Sequence, residues 1–144
     1  MASAALTWLG HASFRLDTPG GKRIYVDPWL ENPRCPEHER AVERADIVAV
    51  THAHFDHISD AVAIGQQSGA HLVAIDELAG WLEQQGYPNG SAGGMNKGGT
   101  QDVAGVRFTM TPASHSSSTP DGQYAGEPVG YVIELENGLR IYVA

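Results

Sequence analysis

The sequence has little cysteine and no long hydrophobic run, and each shortage excludes a class of protein. The 144 residues contain one cysteine, Cys35, so the chain cannot form an internal disulfide and is compatible with a reducing compartment. No apolar run approaches the roughly 18 residues that a membrane-spanning helix needs. The first residues, Met1 to Leu6, lack the charged start and long apolar segment of a signal peptide. We therefore expect a cytoplasmic protein with no membrane partner.

Basic residues are also few. Lysine and arginine total 9 against 17 aspartates and glutamates, which gives a formal net charge of -8. Nucleic-acid-binding surfaces need basic patches to contact phosphate groups, so this charge argues against a nucleic-acid partner. The length is sufficient for a single domain over 1–144 with its own hydrophobic core.

The chain is instead rich in metal-binding side chains at one place. The stretch Thr51 to His57 contains His52, His54, Asp56 and His57. Imidazole nitrogens and carboxylate oxygens both bind first-row metals at neutral pH. In an extended segment His52 and His54 point the same way, whereas Asp56 and His57 follow at a turn and can face a second metal.

This histidine-rich stretch lies between a predicted strand and a predicted helix. The apolar run Asp46 to Val50 predicts a buried strand, and Ser59 or Asp60 is the predicted N-cap of a helix that runs to Gln67. Open α/β folds place their sites at such strand ends. The alternatives, a solvated surface loop or a purification tag, fit less well because the stretch is internal and follows a core strand.

The remaining pattern predicts a mixture of strands and helices. The order strand, helix, strand, helix over 46–85 implies a parallel portion of sheet. The region 86–100 is rich in Gly, Asn and Ser and predicts a loop. The other predicted elements are strands at 6–9, 13–17 and 23–27, the last two forming a hairpin, a short helix at 37–44, a strand at 71–75, a helix at 77–85, and hairpins at 101–111 and 129–143.

Several segments together resemble a known family. His-x-His-x-Asp-His after a buried strand is the signature of the metallo-β-lactamase fold. One branch, the uncharacterised metal-dependent hydrolases similar to L-ascorbate-6-phosphate lactonase, is resembled further at 10–14 (GHASF), 26–28 (VDP), 95–100 (MNKGGT) and 113–118 (ASHSSS). The resemblance runs along essentially the whole chain. It implies an α+β fold, the αββα sandwich, of which this chain would be the N-terminal portion.

The resemblance also implies a binuclear metal site. His52, His54 and His115 would hold the first metal, and Asp56 and His57 would hold part of the second. By itself, His115 at a predicted strand end fits a solvated loop equally well. Asp56 is the implied catalytic residue, which would orient the nucleophile and accept its proton. One or two divalent ions are expected, with zinc first and manganese, iron or nickel as alternatives, because the ligand types do not fix the metal.

Three further residues are candidates for the surroundings of the site. Pro28 holds Asp27 at a strand edge. The resemblance implies that Asp27 supports the metal ligands, and the alternative is a plain turn residue. His11, which follows Gly10, either lines the active site or is an ordinary turn residue, and we do not predict it as a metal ligand. Asn96 belongs to a segment that the resemblance makes a structured loop near the site, and that composition alone makes a flexible loop.

The sequence departs from the resembling family at its end. There the last strand continues into Gly-Asp-Thr, whose aspartate bridges the two metals, and a later histidine completes the second site. This chain stops at Ala144. The alternatives are a shortened protein, a missing half that is a separate polypeptide, or two associating copies. We expect an N-terminal portion that associates with a C-terminal half, a partner chain or a second copy, because an exposed sheet edge invites pairing.

Metal-dependent hydrolysis is the leading functional hypothesis. Metal-activated water would attack a small-molecule ester, lactone or phosphorylated substrate. Fold and metal site do not by themselves fix the substrate. The alternatives are a metal-dependent nuclease of the same fold, and an incomplete metal-binding half-module that is inactive without a partner chain.

Overall fold

The computed structural model describes residues 2–88 and 92–144, which form two β-sheets with helices between the strands. The first sheet has six strands in chain order, β1 (Ala5–Trp8), β2 (Phe14–Asp17), β3 (Arg23–Val26), β4 (Ile47–Ala49), β5 (His71–Ile75) and β6 (Ala92–Met95). The second sheet has four strands in the order β10-β9-β8-β7, namely β7 (Thr100–Val103), β8 (Val106–Pro112), β9 (Val129–Glu134) and β10 (Arg140–Val143).

Strand direction changes within the first sheet. Strands β1 to β3 pair antiparallel, which confirms the predicted hairpin, and β3 to β6 pair parallel, which confirms the predicted parallel portion. The helix α2 (Ala61–Ser68) lies in the crossover from β4 to β5, and α3 (Asp76–Gln84) lies in the crossover from β5 to β6, whereas the crossover from β3 to β4 contains only a 3-10 turn. The second sheet is antiparallel throughout and contains both predicted C-terminal hairpins.

The core fills the space between the sheets. Alternate residues of β8, Val106, Phe108 and Met110, are buried, as the period of a strand with one covered face requires. Two hydrogen bonds then join the sheets close to the histidine-rich stretch. The hydroxyl of Tyr131 on β9 donates to the Val50 carbonyl at 2.7 Å, and the Val129 amide donates to the Thr51 carbonyl at 2.9 Å.

A short helix precedes the crossover helix α2. The turn α1 (Phe55–Ile58) contains Asp56 and His57, and α2 follows with Asp60 at its N-cap position. The Asp60 carboxylate does not cap α2, because it accepts the Leu30 amide at 2.7 Å instead. Gly69, with φ of 69°, ends α2 close to the predicted end at Gln67, since glycine adopts the left-handed conformation without strain.

Two predicted elements are wrong. Instead of a helix over 37–44, only Glu37–Glu39 forms a 3-10 turn. Polar groups in this segment bond to other elements: the Glu39 carboxylate pairs with Arg15, and Arg44 donates to the Gly21 carbonyl. Such a short segment has too few helical hydrogen bonds of its own to outweigh these contacts.

The predicted loop at 86–100 contains the strand β6, which pairs in parallel with β5. The sequence hid this strand because Gly93 and Gly94 have low strand propensity. Glycine is needed there, since a Cβ on Gly94 would lie 2.1 Å from an Asp76 carboxylate oxygen. Residues 89–91 of the predicted loop lie outside the described residues.

In the described ranges, no helix combines the length and the hydropathy needed to cross a membrane.

Candidate metal centre

The first group of metal-binding side chains draws on both sheets. His52 and His54 follow β4 of the first sheet, and His115 follows β8 of the second. Their ring centroids lie 4.7 Å (His52 to His54), 4.5 Å (His52 to His115) and 5.0 Å (His54 to His115) apart. One nitrogen from each ring lies within 4.8 Å of the other two. We call these three residues the histidine group.

Hydrogen bonds fix the proton of His52. The Thr51 hydroxyl donates its one proton to Asp27 Oδ2 at 2.6 Å, so it can only accept from His52 Nδ1, 2.9 Å away. In the neutral ring this leaves Nε2 with a free lone pair. Nε2 is buried without a hydrogen-bond partner. A buried unpartnered acceptor is costly, and an ion at the centre of the histidine group would satisfy it.

The loop that carries His115 is tied to the histidine-rich stretch. The Ala53 amide donates to Ser117 Oγ at 3.1 Å, and the Ser116 amide donates to His115 Nδ1 at 2.8 Å. In the neutral ring this second bond leaves the proton of His115 on Nε2, so binding an ion through Nε2 would require the Ser116 bond to be released and the proton to move to Nδ1. The fit of the histidine group to a metal therefore rests on its three imidazole side chains and on the unpartnered nitrogen of His52.

The second group is His11, Asp56 and His57, which we call the mixed group. One atom from each of these side chains lies within 4.8 Å of the other two. His57 Nε2 is 3.9 Å from Asp56 Oδ1, and His11 Nε2 is 2.8 Å from Asp56 Oδ2. The ring centroids of His52 and His57 lie 4.1 Å apart, so the two groups are neighbours.

Asp27 is linked by hydrogen bonds to both groups, directly to His57 and through Thr51 to His52. It is 3 % exposed and has a φ of 46°, a left-handed conformation that is strained for aspartate. Its carboxylate accepts the Thr51 amide at 2.7 Å, the Thr51 hydroxyl and His57 Nδ1 at 2.8 Å. Asp27 therefore contacts His57 directly and His52 through Thr51, and its role in supporting metal ligands stays a prediction.

Burial and charge shift the protonation of the site. Burial, together with the neighbouring histidines, lowers the pKa of His52 to about 3, so this ring stays neutral. Burial also opposes the charged form of His57. The Asp27 hydrogen bond and the charges of Asp27 and Asp56 outweigh that effect, so the pKa of His57 is raised. For Asp56 burial is outweighed by His57, by a backbone amide and by His11, so its pKa is lowered.

The structure brings together the predicted residues of the site except Asn96. Asn96 is exposed just after β6, and its carbonyl accepts the Gly99 amide at 3.0 Å. It lines neither of the two cavities next to His115, whereas its neighbour Lys97 lines one of them. Two further residues of the site were not predicted. Thr51, at the start of the histidine-rich stretch, links Asp27 to His52, and the ring of Trp29, after Asp27-Pro28, packs edge-on against His11 with ring centroids 5.4 Å apart.

Two cavities meet at His115. One, of about 680 Å³, runs between the sheets from His52 to Ile141 and is mainly apolar. The other, of about 620 Å³, is lined by serines, Lys97 and Tyr124. The histidine group is therefore open to small molecules on two sides.

Comparisons with known proteins find relatives that cover nearly the whole of this chain. A family model described as a beta-lactamase superfamily domain matches residues 22–144. A UPF0173 metal-dependent hydrolase from Koribacter versatilis is 46 % identical over 143 residues, which cover 96 % of this chain and 60 % of that protein. A second one, from Rubrobacter xylanophilus, is 46 % identical over 149 residues, covering 100 % of this chain and 61 % of that protein. The chain thus spans about three fifths of the length of these relatives.

Solved structures extend the similarity to the fold. Igni18, described as a novel metallo hydrolase from Ignicoccus hospitalis, superposes with a TM-score of 0.80 at 35 % identity, covering 96 % of this chain and 59 % of that one. CmlA, a diiron beta-hydroxylase from Streptomyces venezuelae, has a TM-score of 0.70 at 19 % identity, covers 92 % of this chain and 27 % of that one, and supports the fold alone. The predicted α+β metallo-β-lactamase fold is confirmed, and the narrower resemblance to a lactonase stays a prediction.

Proposed function

This chain belongs to the β-lactamase superfamily, and from that membership we propose that it is the metal-holding part of a metal-dependent hydrolase. The proposed substrates are small esters, lactones or phosphorylated compounds. The observation that carries the proposal is the buried, unpartnered Nε2 of His52, which faces a group of histidines. The relatives that are named metal-dependent hydrolases support the reaction class.

The donor atoms suit a divalent ion. Nitrogen and oxygen donors without cysteine are compatible with zinc, manganese, iron or nickel, and we propose zinc first. A bound ion would supply Lewis acidity and would lower the pKa of bound water strongly, toward about 7 in favourable zinc sites. His52, His54 and His115 would hold one ion, and Asp56 and His57 would provide part of a second site.

The chain's own residues set the state of the site before any substrate arrives. Asp27 fixes the orientation of His57 and, through Thr51, that of His52. The lowered pKa of Asp56 keeps this carboxylate ionised. A weakly basic carboxylate accepts a proton poorly, which supports our proposal of Asp56 as a ligand and orienting group, with a general base as the alternative.

We further propose that more polypeptide covers the cavity between the sheets. The matched relatives are longer than this chain, and the cavity ends at apolar side chains such as Ile141 and Val143. Leu6 and Tyr142, at the same cavity, are 58 % and 63 % exposed. Such a surface favours association, through a C-terminal part, a partner chain or a second copy.

The test is to remove metal from the protein and reload it with zinc, manganese, iron or nickel. Bound metal per chain and hydrolysis of a panel of small esters, lactones and phosphate esters are then measured. We expect metal binding that His52→Ala abolishes and that His71→Ala, on the exposed start of β5, leaves unchanged.

Each contrary result has a defined meaning. Equal metal binding by His52→Ala and the unaltered protein would overturn the proposal. Metal binding without hydrolysis would indicate the incomplete half-module, and cleavage of an oligonucleotide in place of the small substrates would indicate a nuclease.

A further inference from the structure

We infer that His11 is a positioning residue, which holds Asp56 by one carboxylate oxygen so that the other faces His57 as a metal ligand. The inference rests on the proposed metal-binding function and assigns a role to a residue far from the histidine-rich stretch in sequence. The contact that carries it is His11 Nε2 to Asp56 Oδ2 at 2.8 Å.

The hydrogen bond from His11 gives the two carboxylate oxygens of Asp56 different neighbours. Oδ2 is taken by His11, and Oδ1 lies 3.9 Å from His57 Nε2. The other nitrogen of His57 is bound to Asp27, so His57 Nε2 is the nitrogen left for an ion. Asp56 Oδ1 and His57 Nε2 can therefore bind one ion between them, while His11 orients Asp56 and Asp27 orients His57.

The chemistry of the contact favours a positioning role over direct ligation. An ionised carboxylate only accepts hydrogen bonds, so the proton between His11 and Asp56 belongs to His11 Nε2. A ring nitrogen that carries a proton has no lone pair for a metal. His11 can therefore orient Asp56 without becoming a ligand itself.

The backbone at His11 adopts an unusual conformation in a tight turn. His11 has a φ of 50°, a left-handed conformation that is strained for a residue with a side chain. Its carbonyl accepts the Trp8 indole N–H at 2.9 Å, and the Ser13 amide closes the turn on the Gly10 carbonyl at 3.0 Å. Gly10 cannot be enlarged, because a Cβ there would lie 2.2 Å from Asn32 Oδ1.

Stability alone does not account for this arrangement. The His11 side chain is 42 % exposed, and exposed pairs of this kind contribute only about 0–1 kcal/mol to folding. Backbone strain costs on the order of 1–3 kcal/mol for each such residue. A strained turn that ends in a weak surface contact is explained if the contact serves the site.

The test is a titration with Co²⁺, which reports each ion by its visible absorption. The chains compared are the unaltered protein, Asp56→Asn, His11→Asn, His11→Gln and His38→Ala. Asparagine tolerates the left-handed conformation but is too short to reach Asp56, whereas the glutamine amide extends about as far as His11 Nε2. His38 is an exposed histidine in the 3-10 turn and serves as the control.

We expect two equivalents of cobalt to bind the unaltered protein, the weaker of them lost in Asp56→Asn. That equivalent should bind about 10–100-fold more weakly in His11→Asn, the usual cost of losing a residue that orients a ligand. His11→Gln should restore the affinity to within about threefold, and His38→Ala should match the unaltered protein. The equivalent held by the histidine group should not change in any of them.

Several results would overturn the inference. They are a His11→Asn protein that binds both equivalents normally, a His11→Gln protein as weak as His11→Asn, or an unaltered protein that binds one equivalent only. Unfolding temperatures of the metal-free variants separate an effect on the ligand from a loss of fold. Failure of the proposed function looks different, because it removes the cobalt at the histidine group as well.

Discussion

The histidine group and the mixed group are neighbours, but the hydrogen bonding of their side chains differs. In the histidine group, rings from two sheets face one another, and His52 Nε2 is left without a partner. In the mixed group, hydrogen bonds join His11 to Asp56 and His57 to Asp27. The first group thus contains a buried nitrogen without a partner, and the second is held by hydrogen bonds within the group and to Asp27.

Under the proposed function, this difference would determine how each group is arranged before a metal binds. Carboxylates hold the side chains of the mixed group in place, in the way that hydrogen-bonded partners commonly orient metal ligands. In the histidine group, burial together with the neighbouring His57, His115 and His54 lowers the pKa of His52, so this ring stays neutral. The two groups should therefore respond differently when single residues are changed.

The largest expected effect comes from removing a ligand of the histidine group. His115→Ala should weaken binding of the tighter metal ion by more than about 100-fold, because losing a ligand costs more than losing a residue that orients one. Asp56→Asn should leave that ion in place and weaken the other. Zinc titration followed by metal analysis checks both. If the two substitutions weakened the same ion equally, the division into two groups would be wrong.

Asp27→Asn should affect both groups at once. The amide keeps one acceptor oxygen and places an N–H group among the Thr51 and His57 donors. We expect a loss of about 1–3 kcal/mol in the free energy of unfolding of the metal-free protein, as for a buried hydrogen-bonding group left unpaired.

The control for Asp27→Asn is Asp46→Asn, because Asp46 accepts the Arg23 amide away from the site. Metal affinity should fall in Asp27→Asn only, and denaturant unfolding with metal titration measures both quantities. Equal metal affinity in the two variants would show that Asp27 supports the fold and not the ligands.

The pH dependence of the metal-free protein should separate His52 from His57. The pKa of His52 falls from about 6.5 to about 3 on folding, so His52 costs stability as the pH drops below about 6.5. The pKa of His57 is raised, so its contribution is fully present below about 6.5 and is lost as the pH rises through the raised value.

Two variants test this opposition. His52→Asn should reduce the loss of stability between pH 7.5 and pH 5.5, and His57→Gln should increase it. Denaturant unfolding at the two pH values measures the change. The same pH dependence in both variants would contradict the assigned shifts.

The smallest expected effect comes from removing the hydrogen bond between Tyr131 and Val50, one of the two that join the sheets near the histidine-rich stretch. Tyr131→Phe removes the hydroxyl that donates to the Val50 carbonyl and should cost about 1 kcal/mol in the free energy of unfolding. Tyr142→Phe, which alters a 63 % exposed ring, should cost nothing measurable. Thermal unfolding of the two variants checks the difference, and equal values would mean that the bond to Val50 does not stabilise the fold.

The sequence predicted those parts of the molecule that depend on local spacing. The spacing of His52 and His54 after a buried strand, and the Asn137-Gly138 turn of the last hairpin, identify features that neighbouring residues determine. The strand β6 was not predicted, because Gly93 and Gly94 have no side chains and so give no alternating pattern of polarity. This segment is a strand through its pairing with β5.

The site beyond the histidine-rich stretch was less accessible to sequence reasoning. The contact of His11 with Asp56 joins residues 45 positions apart and depends on a left-handed backbone at His11. Neither a turn signal nor a hydrophobic pattern specifies that conformation. The position of Asp27 under His57 likewise follows from the parallel register of β3 and β4, which composition does not reveal.

The origin of the histidine group in two sheets has a consequence for how the chain is held together. His54 and His115 lie on segments far apart in the sequence, and one cysteine cannot supply a covalent bridge between them. An ion bound by both would close that long loop and reduce the conformational freedom of the unfolded chain, as a disulfide does. The metal would then act as a reversible cross-link, and the availability of the ion, instead of the redox state of the compartment, would govern how tightly the two sheets stay joined.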